Sequence, residues 1–192
     1  MHRPTPDPHP LIPQAMRYLA VLPLFLLAAP AAAQMSAPAP HAPPSVMSDV
    51  RDQWRGMSGY VVKSAEAVPE AQYAFRPVKG VRTFAELFTH VAGAQSMFCA
   101  MALGEKAPAE DAVKATSKAA IVDALKHSNA DCERAYAQSD SSASASIDFY
   151  GSPRSRLYVL MLNATHDAEH YGNIITYMRM NGMVPPSSQP AK

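Results

Sequence analysis

Residues 152–182 read SPRSRLYVLMLNATHDAEHYGNIITYMRMNG, and this stretch decides the fold class. Both of its ends carry helix punctuation. Ser152 suits an N-cap, and Pro153 suits the first helical position, where a missing N–H costs nothing. Gly182 stands just past the end, and Pro185-Pro186 forbid continuation. The span between them predicts a helix of about 29 residues, on the order of 43 Å at 1.5 Å per residue. Apolar side chains cover much of its circumference, so this helix is expected at the centre of the domain.

Upstream, three more segments show helical spacing. Ser117 to Ala137 offers Ile121, Leu125, Cys132 and Tyr136 for burial. Thr83-Phe84-Ala85-Glu86 is a capping box, and it opens a helix whose apolar stripe is Phe84, Leu87, Phe88, Val91, Phe98 and Met101. Gly104 is its natural stop. The first helix is expected from Ser48, its N-cap, to Ala67, with Val50, Trp54, Met57, Val61 and Ala65 on one face and Pro69 closing it. Ser139 to Ser146 reads as a polar, mobile loop. With no alternating strand pattern, the expected fold is all-α, a four-helix bundle. The three connections hold about 13 to 16 residues each, longer than an up-down bundle needs. Any of them can be a crossover, and spacing alone leaves the topology open.

Composition agrees with one globular domain behind an unusual N-terminus. The 192 residues are 48% hydrophobic, and 17 Lys+Arg against 16 Asp+Glu give a formal charge of +1. That lacks the basic surplus of a nucleic-acid binder. Of the 18 prolines, 11 fall in the first 44 residues, so the rest of the chain is proline-poor. Residues 16–33, MRYLAVLPLFLLAAPAAA, have the basic start, apolar run and small-residue end of a secretory signal peptide, with cleavage expected after Ala33. The apolar run is shorter than the roughly 20 residues that a membrane span requires. Met16 makes a more typical start than Met1, and no cysteine follows for a lipid anchor. Three segments are therefore expected: a signal peptide over 1–33, a Pro/Ala-rich leader over 34–45 and the bundle over 46–188. Removing Arg3, Arg17 and Asp7 leaves 15 basic and 15 acidic residues. The expected product is periplasmic or secreted, free of the membrane after cleavage.

Histidines carry the candidate chemistry. His41 lies in the leader, and His127 sits among Lys126, Ser128 and Asn129; both read as solvated. His166 and His170 stand four apart on the long helix, about 40° apart around its axis, so both rings project from one strip. That spacing lets two nitrogens converge on one metal ion at about 2.0–2.1 Å. His90 flanks the apolar stripe of the second helix, where a polar group needs a reason. Three histidines on two helices can leave ligand positions for water or substrate, as catalytic metal sites do. The competing reading is three partly buried rings hydrogen-bonded to carbonyls or to Asp167, Glu169 and Asn163.

Two segments, AQYAFRPVKGVRTFAELFTHVAGAQSMFC (71–99) and NATHDAEHYGNIITYMRMNGMVPPSS (163–188), together resemble the DinB-like four-helix-bundle superfamily of metalloenzymes. The shared motifs are a Tyr-x-Phe-Arg-Pro segment, a histidine inside the second helix, and HxxxH followed by Tyr-Gly in the last. The resemblance implies an up-down-down-up bundle with a crossover between the second and third helices; residues 105–116 can run about 40 Å when extended. It implies His90, His166 and His170 as ligands of a divalent ion, zinc or nickel, and a homodimer. Some relatives transfer thiols such as bacillithiol, or use mycothiol or glutathione.

Cys99 and Cys132 are the only cysteines. In an antiparallel hairpin they would differ in height by roughly 16 Å, whereas parallel helices would bring them level. A disulfide, buried free thiols and a catalytic cysteine are all open readings. Asp167 and Glu169 are expected on the helix surface or paired with Arg179 and Arg76. Tyr73 and Arg76 are expected to order the loop over the bundle end, and Tyr171 and Tyr177 to pack with their hydroxyls at the edge. Met57, Met97, Met101, Met161 and Met178 read as core filler.

The functional expectation is an exported metal-dependent enzyme, a hydrolase or thiol S-transferase acting on a small molecule. The alternative is a non-catalytic metal- or small-ligand-binding module of the cell envelope. A pure interaction scaffold with structural histidines is a third reading.

Overall fold

The computed structural model describes residues 43–190. The expected signal peptide, most of the leader and His41 lie outside them. Four long helices form the body: α1 (Val46–Ala67), α2 (Phe84–Leu103), α3 (Lys118–Tyr136) and, after a short α4 (Asp140–Ala143) and two strands, α5 (Arg156–Met180). Thr83 and Glu86 form the expected capping box on α2, Gly104 caps its end, and Ser117 caps α3.

Cross-helix pairs establish the topology. Gln95 bonds Ser128 and Asn129, and Glu105 bonds Arg134, so α2 and α3 run parallel. Arg55 meets Glu133 while Glu66 meets Lys126, which makes α1 and α3 antiparallel. His90 meets His170 and Phe84 meets Tyr177 at one end, whereas Phe98 meets His166 further on, so α2 and α5 are antiparallel. The bundle is therefore up-down-down-up, with the crossover between α2 and α3.

Parallel packing brings Cys99 and Cys132 level, and they form a disulfide with their Cα atoms 5.2 Å apart. Both are buried. Of the readings open in the sequence, the catalytic cysteine and the free thiols are thus set aside.

The core has two apolar clusters. One gathers Val61, Phe84, Phe88, Ile121, Leu125, Ile174 and Met178. The other gathers Trp54, Phe98, Tyr136, Val159 and Leu160 around the disulfide, with Trp54 stacked on Tyr136 at 4.3 Å. Between them lies a polar waist containing Gln95, Ser128, Asn163, Asp167 and His170, all buried. Trp54 Nε1 donates to Gln95 Oε1 at 2.7 Å, and Gln95 Nε2 donates to Asn129 Oδ1 at 2.9 Å, so this waist is keyed across α1, α2 and α3.

Several expectations are corrected. Residues 152–155 are not the first turn of the last helix but a strand, β2 (Ser152–Ser155), paired antiparallel with β1 (Ser146–Phe149). Tyr150 and Gly151 both take positive φ, 51° and 76°, as the tight two-residue turn of a twisted hairpin demands. Pro153 is tolerated there because a two-stranded hairpin consists only of edges. Ser155 is the true N-cap and α5 has 25 residues, about 38 Å of helix rather than 43 Å. The segment expected as a loop from Ser139 to Ser146 holds α4 and the start of β1. It is tied down where Asp140 accepts from the backbone N–H groups of Val46 and Met47 at 3.2 and 2.9 Å. α1 starts at Val46, because Ser45 is the N-cap and Ser48 completes its capping box. Met161 is 49% exposed and fills no core, whereas Met97 and Met178 do.

The disulfide closes a loop of about 34 residues, which restricts the unfolded chain and is worth about 3–4 kcal/mol on the loop-entropy model. The Cys99→Ala/Cys132→Ala variant is expected to lose most of that in urea unfolding with unchanged helical circular dichroism. Native stability in the variant would show that the helices carry the fold without the link.

Candidate metal centre

The waist is where the histidines meet. α5 presents His166 and His170 one turn apart, and antiparallel α2 brings His90 to the same height. Nε2 of His90 lies 2.9 Å from that of His170 and 3.1 Å from that of His166, and the last pair is 3.1 Å apart. The three Nε2 atoms form a nearly equilateral triangle. The structure thus brings together all three histidines singled out from the sequence. It leaves His127 out on the surface, with an 80% exposed side chain.

Hydrogen bonding cannot satisfy this triangle. A neutral imidazole nitrogen is either a donor or an acceptor, so among three of them at least two share a role. One edge is therefore always a like pair at about 3 Å. Protonation is no remedy, because it would add charge to a desolvated cluster. Burial, then the charges of His170, His90 and Arg82, hold His166 down at about 3. Burial, followed chiefly by His90, holds His170 down at about 4. His90 is lowered by burial and Arg82, against the opposing pull of Glu110 and Glu169. All three rings are neutral at pH 7, with lone pairs available to an electrophile.

A divalent ion fits that donor set. Three neutral imidazole nitrogens within about 3 Å of one another are close enough to share a single ion as ligands. His90, His166 and His170 accordingly form a group that could hold a metal ion, with no other His, Cys, Asp or Glu in it among the described residues.

Around the triangle the two sides differ. Phe98 packs edge-on to His166 at 5.7 Å, and Phe149 from the hairpin packs behind Phe98. On the other side a cleft of ≈ 490 Å³ reaches His90, lined by Arg76, Arg82, Thr89, Glu110 and Lys114 among others. Three bases and three acids line it, but Glu86 is engaged by Thr83, Glu110 by His90 and Asp111 by Lys114. Arg76 and Arg82 have no ion-pair partner among the described residues. Tyr73, expected to order the loop over the bundle end, is buried and donates its hydroxyl to Ala65 O at 2.7 Å. Tyr171 and Tyr177 are buried with hydroxyls bonded to Ser187 and to the Arg82 carbonyl, as their sequence positions suggest.

Two features escaped the sequence reading. Asp167, expected on the surface, is fully buried in the waist, and neither of its carboxyl oxygens has a hydrogen-bond partner. Burial raises its carboxyl well above the ordinary carboxylate range. The cause is that Asp167 lies only about 60–100° round α5 from the histidines, on the face packed against the other helices. α5 is not the central helix expected from the sequence, since Tyr158, Met161, Thr165, Glu169 and Thr176 leave another face exposed. Glu110, from the α2–α3 crossover, places Oε1 2.8 Å from His90 Nδ1. Nothing in that polar connection marks one acid over another.

A model of the DinB superfamily matches residues 53–174, more than half of the chain. A DinB-like protein from Bacillus cereus superposes with a TM-score of 0.64 at 19% identity, over 72% of this chain and 95% of that one. For a DinB-like protein from Bacillus subtilis the values are 0.56 and 16%, over 74% and 99%. A mycothiol-dependent maleylpyruvate isomerase superposes at 0.57 and 17%, over 67% of this chain but only 60% of that longer protein. At these identities the likeness is one of fold. No curated protein matches the chain significantly in sequence.

The titrations have opposite signs and can be separated. Above pH 6.5 the histidines are neutral whether folded or unfolded. As the pH falls from 6.5 toward 4 the unfolded chain takes up protons that folded His166 and His170 refuse, so stability falls. In chelator, the urea midpoint is expected to drop through this window, less steeply in His166→Gln. Asp167 acts the other way: its cost grows as the pH rises above 3.8, where the unfolded acid ionises. Asp167→Asn is therefore expected to stabilise the metal-free protein at pH 7 and to leave it unchanged near pH 3.

Proposed function

Since the chain belongs to the DinB superfamily, we propose that it is an exported metal-dependent enzyme of that family, with His90, His166 and His170 as the ligands of a divalent ion. The observation that carries this reading is the triangle of neutral Nε2 atoms, which no assignment of protons satisfies and a dication does. Zinc and nickel both suit a set of imidazole nitrogens. When bound, such an ion acidifies a coordinated water or thiol and polarises a carbonyl.

The chain's own residues supply the surroundings. The rigid i, i+4 pair on α5 and His90 on α2 hold three lone pairs aimed at one point. Phe98 and the hairpin cover part of the His166 side with apolar rings. The cleft is lined by His90 but by neither His166 nor His170, and its three bases and three acids balance, so it suits a small polar molecule held beside the centre. A cleft next to one of the ligands favours an enzyme over a metal carrier with no adjacent cavity. Within the family fold the reaction class is a hydrolase or thiol S-transferase, and the mycothiol-dependent isomerase of similar fold supports the thiol branch. Export is supported by the signal-like pattern over residues 16–33 and by the Cys99–Cys132 disulfide, a bond that persists in oxidising compartments. Among the described residues no helix is long and apolar enough to cross a membrane. A homodimer, as the family resemblance implies, belongs to the same proposal.

Elemental analysis of the untagged protein tests the centre, since an affinity tag of histidines would bind metal itself. About one equivalent of divalent metal in the native protein and none in His166→Ala/His170→Ala is the expected result. No metal in the native protein after reconstitution with zinc or nickel would overturn it. The metal-loaded protein should then cleave or thiolate small electrophilic substrates, and activity should disappear with the double variant.

A further inference from the structure

The three histidines are not held alike. Nδ1 of His166 and Nδ1 of His170 are buried and have no hydrogen-bond partner. Nδ1 of His90 lies 2.8 Å from the Glu110 carboxylate. A carboxylate only accepts, so His90 carries its proton on Nδ1 and turns a lone pair on Nε2 toward the centre. Of the three rings, His90 alone has its tautomer dictated from outside the triangle. It is also the only one on a different helix, so the bond between α2 and α5 across the centre depends on its orientation.

What delivers Glu110 is a contact with α2 itself. A Cβ on Gly93 would stand 1.8 Å from the carbonyl oxygen of Glu110. The crossover backbone therefore lies directly on the helix surface at Gly93, three residues after His90, where any side chain would displace it. Anchors at each end hold this course. Glu105 receives both nitrogens of Arg134 at 3.0 and 3.1 Å, and Lys118 donates to the carbonyls of Glu66 and Val68 at 2.7 and 2.8 Å. Glycine in mid-helix costs about 1 kcal/mol relative to alanine. Close approach of the crossover is a reason to retain it.

We infer that Glu110 is a positioning residue for His90, seated on Gly93 by the α2–α3 crossover, and that this pair sets the affinity of the three-histidine centre for its metal. The inference rests on the reading of the histidines as metal ligands. Carboxylates that hold the far nitrogen of a ligating imidazole are generally worth 10- to 100-fold in metal affinity. Glu110 is half exposed, so Glu110→Ala leaves the core intact, whereas Gly93→Ala pushes the crossover backbone off α2 and tests the seating itself.

The test uses the untagged full-length chain and zinc in competition with a chromophoric chelator. Glu110→Ala is expected to bind zinc about 10- to 100-fold more weakly. Glu110→Gln, whose amide oxygen still accepts from Nδ1–H, should fall between it and the native protein. Gly93→Ala should match Glu110→Ala, and the double variant should be no weaker than either single one, because Gly93 acts through Glu110. Zinc affinity within twofold of native in Glu110→Ala, or additive losses in the double variant, would overturn the inference. A second readout needs no metal: long-range ¹H–¹⁵N correlation of the imidazoles should show the Nδ1–H tautomer at His90 in the metal-free native chain. Glu110→Ala should show a mixture, and an unchanged tautomer would overturn the positioning role. No zinc bound by the native chain would overturn the metal reading instead, leaving the tautomer to decide what Glu110 does.

Discussion

Antiparallel packing of α2 on α5 is the constraint from which the other features of this bundle follow. It sets His90 at the height of His166 and His170, closing a triangle of like nitrogens at 2.9–3.1 Å that the protein cannot satisfy alone. It also makes α2 and α3 parallel, given an antiparallel α1–α3 pair and an α1 that runs in the same direction as α5. That parallel pair needs the long crossover, and it brings Cys99 level with Cys132. One packing choice thus yields the candidate centre, the disulfide and the loop that carries Glu110.

Polarity at the waist carries a cost in stability. Two apolar clusters flank a layer containing Gln95, Ser128, Asn163, Asp167 and the histidines. Part of the layer is well bonded, as the Trp54–Gln95–Asn129 chain shows. Other atoms have no partner: both oxygens of Asp167, Oδ1 of Asn163, and Nδ1 of His166 and His170. Buried polar groups without partners typically cost about 1–3 kcal/mol each. The disulfide, whose sulfurs lie 3.8 and 4.0 Å from Asn163 Nδ2, offsets such losses by restricting the unfolded chain. A site that gathers orphaned groups in the middle of a core, beside a covalent link, shows function drawing on stability.

Much of this was legible in the chain. The Thr83–Glu86 box, Gly104 and Ser117 marked helix ends correctly because capping is local chemistry. His166 and His170 were placed on one strip by helical period alone. The all-α bundle was evident from periodicity, and its crossover from the family resemblance. What failed, failed for identifiable reasons. Ser152-Pro153 imitates a helix start as well as Ser155 does, and the Tyr150-Gly151 turn lacks the Asn-Gly signature of such hairpins. Asp167 was assigned to the surface because helix angles say where a side chain points, not what covers it.

The sequence by itself determined that there are four long helices, where most of their ends fall, which faces are apolar, and which three imidazoles are candidates, because each of these depends on neighbours within about four residues. Only the tertiary structure decided that the three Nε2 atoms meet, that Cys99 and Cys132 are bonded, that Asp167 is buried, and that Glu110 crosses Gly93 to reach His90. Each of those joins residues from 17 to 80 positions apart or depends on packing from several helices. No local pattern encodes the direction in which a loop crosses a helix; it is chosen by the packing of the whole bundle.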